Sequence, residues 1–230
     1  MNPAYERVYH HHVRKTAGTS LNAAFWGLAG LNLPAMFNSS ATTRNGLKFV
    51  RSDSKLISEG DYFFANSHTP AYRLQLPPHT FTVTILRDPA ARVISYYRQF
   101  LWARANPTAR DVEPAVDKLQ LLAKHMGNGF QDFLRQLPPQ LLLTQVFMFS
   151  ERMDPVEAAE NALACSAVCF TETFSEDLKM LATTLELELE EKHERRHDEK
   201  VVLDEEELDH LREVLKPEYA MFERVREAMK

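Results

Sequence analysis

The chain has 230 residues, 44% hydrophobic and 26% charged, with a formal net charge of −5. This is the balance of a globular protein that builds its own core, read here as one domain over residues 1–230. A net negative chain without a basic tract excludes general nucleic-acid binding, so an anionic ligand must be held by a few local cations and backbone amides.

In chain order, 8–13 reads as a strand, 15–20 as a small-residue turn and 21–28 as a helix. Residues 34–60 are polar, with scattered Ser, Thr, Asn and Gly, and read mostly as loop. A short apolar run at 62–66 is a buried strand. Residues 70–78 connect it to 81–86, whose β-branched and apolar residues mark a further strand. Asp88 caps and Pro89 opens a helix that runs through Trp102 and stops before Asn106-Pro107. Further helices are expected over 112–124, 130–137, 155–164 and 176–187, a strand over 167–171, and a last helix from Asp204 interrupted by Pro217. Strand–turn–helix units in the first half predict parallel strands with right-handed crossovers. The fold class is therefore α/β, a central parallel sheet with flanking helices.

No stretch reaches the roughly 20 apolar residues of a membrane span, and residues 1–9 lack a signal-peptide run. A cytoplasmic location is expected. The two cysteines, Cys165 and Cys169, read as small buried hydrophobes with free thiols.

The first site is His10-His11-His12-Val13-Arg14-Lys15-Thr16-Ala17-Gly18-Thr19-Ser20-Leu21. A strand delivers the chain into a tight turn whose backbone N–H groups lack partners, and the following helix points its positive end the same way. Gly18 admits close approach, Thr16, Thr19 and Ser20 add hydroxyls, and Lys15 adds charge. The logic is that of a Walker A loop, but the lysine precedes the glycine, so the pattern is not. His10 and His12 share a strand face, yet no carboxylate or cysteine partners complete a metal set, so no metal is expected.

The second site is Phe81-Thr82-Val83-Thr84-Ile85-Leu86-Arg87-Asp88-Pro89-Ala90-Ala91-Arg92-Val93-Ile94-Ser95-Tyr96-Tyr97. Arg87 ends a buried strand, so it emerges at the carboxyl edge of the sheet, where open α/β sheets bind ligands. Arg92 and Ser95 share a helix face beyond it. A guanidinium fork with a hydroxyl is a receptor for a terminal phosphate.

Together these segments resemble the sulfotransferases that use 3′-phosphoadenosine 5′-phosphosulfate (PAPS), in particular the branch of carbohydrate O-sulfotransferases. Residues 12–20 are similar to the 5′-phosphosulfate loop, His-x-Pro-Lys-Thr-Gly/Ala-Gly/Ser-Thr-Ser, with Arg14 where proline is usual. Residues 86–97 are similar to the 3′-phosphate signature. A weaker echo runs through Val168-Cys169-Phe170-Thr171-Glu172-Thr173-Phe174. The resemblance implies a P-loop-like sulfotransferase fold. It implies that Arg14, Lys15 and the amides of Thr16, Ala17, Gly18, Thr19 and Ser20 hold the 5′-phosphosulfate. Arg87 and Ser95 would hold the 3′-phosphate, with Arg92 as a support of the signature. The product would be PAP, the desulfated nucleotide.

Sulfuryl transfer to a hydroxyl needs a proton acceptor, and a histidine suits neutral pH. Of nine histidines, His68 is preferred, because it follows a short buried strand and surfaces at the same edge as Lys15 and Arg87. His12 is the alternative, and a carboxylate is a third choice. The His193-Glu194-Arg195-Arg196-His197 cluster reads as a solvated helix end or a cationic flap over the nucleotide. The Phe25 and Trp26 pair reads as core. The expected activity is transfer to a sugar, lipid or small-molecule hydroxyl by in-line displacement. The acceptor would be walled by residues 34–60 and 103–114. The alternatives are an ATP-dependent phosphotransferase and a non-catalytic nucleotide-binding module.

Overall fold

The structure, a computed structural model, describes residues 1–32, 35, 39–107, 119–121, 123, 127, 129–192 and 201–230. Six strands form one sheet: β1 (Arg7–His11), β2 (Ala41–Arg44), β3 (Leu47–Arg51), β4 (Phe64–Ser67), β5 (Thr80–Leu86) and β6 (Ala167–Phe170). Their order across the sheet is β2-β3-β4-β1-β5-β6. Only β2 with β3 is antiparallel, and the other neighbours run parallel. The α/β expectation holds, with one antiparallel strand at the edge. That edge corrects the reading of 34–60 as mostly loop. Asn45-Gly46 is a hairpin turn signal, and both residues take positive φ, 52° and 76°. Asp53 then caps α2 (Ser54–Glu59), which Gly60 ends in the left-handed region.

β1 is the pivot. Val8 faces the core shared with α1 (Gly18–Gly27), where Phe25 stacks on Phe64 at 4.2 Å and Trp26 is buried. Tyr9 faces the opposite side with Val50 and Ile57, as period-two alternation requires. α8 (Phe174–Leu185) joins α1 through Leu178, Leu181 and Leu185. The other face packs on α6 (Thr144–Phe149), α7 (Pro155–Leu163) and α10 (Lys216–Ala228) through Val146, Ala158, Ala159, Ala162 and Met221. A separate helical core joins α3 (Pro89–Ala105), α4 (Phe130–Gln136) and α9 (Glu205–Val214) around Tyr96, Phe100, Phe133 and Leu211. α5 (Pro139–Leu142) precedes α6. The break expected at Pro217 separates α9 from α10 at Leu215.

The helix expected over 112–124 lies largely outside the described residues, as do residues 193–200 and 108–114 of the expected acceptor wall. Among the described residues, no helix is long and apolar enough to cross a membrane. Cys165 and Cys169 are free thiols. Burial pushes both up, Cys165 to about 12.

β1 sits between β4 and β5, so the chain leaves it on one side and returns on the other. Ligand crevices form at the carboxyl ends of strands at such a point. His11 pairs with Ser67 and with Thr84, which sets the ends of β1, β4 and β5 nearly level. His12, His68 and Arg87 are thereby delivered to one edge.

Candidate active site

The loop after β1 is shaped by left-handed residues at Lys15 (φ 67°) and Ala17 (φ 63°). Such alternation turns successive amides toward one point and makes an anion-binding nest. Among the described residues, the backbone N–H groups of Thr16, Ala17, Gly18 and Thr19 donate to no backbone carbonyl. They cluster at the N-terminus of α1, where the helix dipole favours negative charge. A Cβ on Gly18 would collide with the His12 ring and stand 2.8 Å from His10 Cε1, so only glycine fits. Unpaired amides, a dipole and a lysine on a loop closed tightly around glycine suit a phosphosulfate. The Thr16 hydroxyl is a correction in detail. It is buried and donates to the Val13 carbonyl at 3.0 Å, so it braces the turn, and only its N–H is left for a ligand.

Arg87 follows β5 and reaches across to the loop, with Nη1 donating to the Lys15 carbonyl at 3.2 Å. The two sequence segments are thus physically joined. Burial lowers its pKa, opposed by the nearby charge of Glu172. Gln145, on α6, clamps the Arg87 backbone: its Oε1 accepts from Arg87 N–H at 2.8 Å, and its Nε2 donates to the Arg87 carbonyl at 3.0 Å. The same Nε2 donates to Glu218 at 2.8 Å. Glu218 accepts from Arg92 Nε at 2.6 Å, both side chains 0% exposed. Arg92 also donates to the carbonyls of Leu141 and Leu142. Arg92 therefore points into the core and supports the junction. Burial pushes Glu218 up, and Arg92 opposes that.

Ser95 lies half-buried on the second turn of α3. Asp88 caps that helix through Ala91 N–H at 2.8 Å, and its own N–H donates to Glu172 at 2.9 Å. The Thr171-Glu172-Thr173 echo is thus packed on the arginine junction. Arg98, further along α3, carries a buried Nε without a hydrogen-bond partner among the described residues, and its charge depresses Arg87.

His68 follows β4 and is half-buried. Its Nδ1 donates to the His12 carbonyl at 2.5 Å, which leaves Nε2 as the acceptor nitrogen. Its ring lies 4.4 Å from the His12 ring, which stacks in turn on His10 at 4.9 Å. Burial first, then the charge of Arg14, brings its pKa down to about 3. Arg51, ending β3, adds to that field.

The sequence reading missed Gln145, Glu218, Asn22 and Arg51. Asn22, on α1, bridges His10 and His12. A polar residue on the otherwise apolar inner face of that helix was the available signal.

The model of the Sulfotransferase family matches residues 1–224, nearly the whole chain. No curated protein matches it. A match of that extent replaces the ATP-dependent phosphotransferase alternative. With the parallel sheet, the nested loop and the arginine junction at one edge, the chain belongs to the sulfotransferase family, enzymes that take their sulfuryl group from PAPS.

Proposed function

We propose that this enzyme transfers sulfuryl to a carbohydrate-type hydroxyl, with His68 as the base. On this reading, Arg14, Lys15 and the amides of residues 16–20 hold the 5′-phosphosulfate, Arg87 and Ser95 hold the 3′-phosphate, and residues 1–230 form one catalytic domain. The observation that carries the reading is the His68 Nδ1–H bond to the His12 carbonyl. It fixes the tautomer, so that a lone pair on Nε2 is presented beside the phosphate loop. The acceptor class rests on the likeness of residues 12–20 and 86–97, both donor-binding segments on this reading, to carbohydrate O-sulfotransferases, and a lipid or small-molecule alcohol is the alternative.

When bound, PAPS supplies an activated sulfuryl group and PAP as the leaving group. His68 takes the proton of the attacking hydroxyl on Nε2. Lys15 and the amides of Thr16, Ala17, Gly18 and Thr19 meet the charge that grows on the departing phosphate, the usual place for the largest catalytic contribution. A base depressed to about 3 is neutral and ready at pH 7 but weak. The donor's negative charge offsets the field of Arg14 and Arg51, strengthening the base once the nucleotide is in place.

His68→Ala is expected to cut turnover by roughly 10²–10⁴-fold while PAP affinity, measured by calorimetry, holds within about twofold of a low-micromolar value near −8 kcal/mol. Near-normal turnover in His68→Ala would refute the assignment.

A further inference from the structure

We infer that His12 is a fixed hydrogen-bond donor to the phosphosulfate, held in its Nε2–H form by Asn22, and is not a base. The inference rests on reading residues 13–20 as the phosphosulfate loop, and it assigns to the His10–Asn22–His12 cluster a role of its own.

Alternation along β1 puts His10 and His12 on one face, their rings stacked at 4.9 Å and 23°. α1 folds back over that face and lowers Asn22, 2% exposed, onto both rings. Asn22 Oδ1 is 2.8 Å from His10 Nδ1, and Asn22 Nδ2 is 3.3 Å from His12 Nδ1. An amide has one accepting end and one donating end. The two imidazoles must therefore meet it in opposite states: His10 carries its proton on Nδ1, and His12 Nδ1 is bare. A neutral His12 then holds its proton on Nε2.

Turning the amide around would reverse both rings and place the His10 proton on Nε2. That atom is buried and has no partner among the described residues. A buried orphan N–H is the costlier defect, since bare acceptors are tolerated more often than unpaired donors. Burial also brings the His10 pKa down to about 4, so the ring stays neutral and its single proton has one place to go.

The His12 Nε2–H is aimed at the loop. An added Cβ on Gly18 would lie 2.5 Å from His12 Nε2. That nitrogen thus stands over the first residue of α1, among the free amides of residues 16–19. His12 adds a neutral side-chain donor to a receptor made of backbone amides and the cations Arg14 and Lys15. The ring beside it, His68, presents a lone pair. The His12–His68 ring pair, 4.4 Å apart and tilted at 38°, therefore holds a donor for the phosphosulfate oxygens and an acceptor for the hydroxyl proton. In the reaction the acceptor O–S bond forms, the S–O bond to phosphate breaks, and the hydroxyl proton goes to His68. His12 keeps its own proton throughout. Asn22 acts through His12 and is a positioning residue.

The test begins with histidine ¹⁵N NMR on the full-length protein. His12 is expected as the neutral Nε2–H tautomer, with His10 and His68 as Nδ1–H. A His12 Nδ1–H signal overturns the inference. In Asn22→Asp, which can only accept, a proton is expected to appear on His12 Nδ1, and an unchanged His12 spectrum overturns Asn22's role. Calorimetry then separates donor from base. His12→Leu is expected to weaken adenosine 5′-phosphosulfate by about tenfold, the size of a lost hydrogen bond to a charged group, and to leave PAP, which lacks the sulfonate, within about twofold. His12→Gln, which can donate but cannot take a proton, is expected to restore both affinity and turnover. Equal loss for the two ligands, or no rescue by glutamine, overturns the inference while leaving the loop assignment intact. Wild-type protein that binds neither ligand overturns the loop assignment itself.

Discussion

The loop after β1 and the junction between β5 and α3, the two proposed anion receptors, are held together in different ways. The loop is held by its own sequence neighbours. Thr16 braces Val13, and the amides of Ser20 and Leu21 close on the Ala17 carbonyl at 2.9 and 3.3 Å. The junction is held from afar. Gln145, 58 positions along the chain, clamps Arg87, and Glu218, 126 positions from Arg92, anchors the helix that follows. The difference follows from what each must do. A receptor made of amides needs only the right dihedrals, and a few residues can set them. A receptor made of side chains brings cations such as Arg87 and Arg98 together, and their repulsion is offset by carboxylates such as Glu172 and by a scaffold drawn from distant parts of the chain.

The largest test of this contrast is to cut the scaffold. Arg92→Met leaves Glu218 buried without its partner, a loss typically of about 3–5 kcal/mol. Urea denaturation is expected to read that loss, and Arg92→Met with Glu218→Leu is expected to recover most of it. A loss under about 1 kcal/mol in the single variant would mean that the junction does not depend on this pair.

On the loop side the stored cost is one of protonation. Burial holds His10 down to about 4 and His11 to about 3, against 6.5 for a free histidine. Folded protein therefore binds fewer protons than unfolded protein below pH 6.5. The stability these residues contribute is present above that value and lost as pH falls toward 4. The loss is on the order of 2 kcal/mol each between pH 7 and 5. Thermal melts across that range are expected to fall, and His11→Phe, packed beside Phe149, is expected to flatten the slope. An unchanged slope would place the acid sensitivity elsewhere.

A third comparison uses ligands. Arg87→Ala and Ser95→Ala are expected to weaken PAP by about 1.5–3 kcal/mol and adenosine 5′-phosphosulfate, which lacks the 3′-phosphate, far less. Equal weakening would show that the junction does not read that group.

The same contrast decides what could be read from sequence. The β5 run of apolar and β-branched residues, the Asp88-Pro89 helix start and the glycine-bearing loop are local patterns, and each was found within a few residues of its place. The β2–β3 hairpin was missed although Asn45-Gly46 announced it, because β2 carries Thr42, Thr43 and Arg44 at the sheet edge, and the buried part of β3 is only the pair Phe49-Val50, too short a run to mark a strand. Gln145 and Glu218 had no local signature at all. Their meaning lies in a contact between residues 73 positions apart, and an isolated Gln or Glu on a helix looks like surface. The inward turn of Thr16 was likewise hidden, since it depends on where the Val13 carbonyl points.

The smallest effect concerns the field that the loop casts on its base. Burial is the largest cause of the drop in His68, and Arg14 comes second. Arg14 is exposed, so its share is screened by salt, whereas the share due to burial is not. As the proposed base, His68 must be neutral to act, so activity is expected to be lost as pH falls through its pKa. Removing a nearby cation raises that pKa and moves the acid limb of kcat/KM to higher pH. Arg14→Met is expected to move it up by less than about one pH unit, because an exposed charge interaction is worth about 1 kcal/mol or less. Raising the salt is expected to move the wild-type limb the same way and the Arg14→Met limb hardly at all. A wild-type limb that ignores salt would mean that desolvation alone sets the base. A limb near 6.5 in both proteins would mean that His68 is better solvated during turnover than its place behind β4 implies.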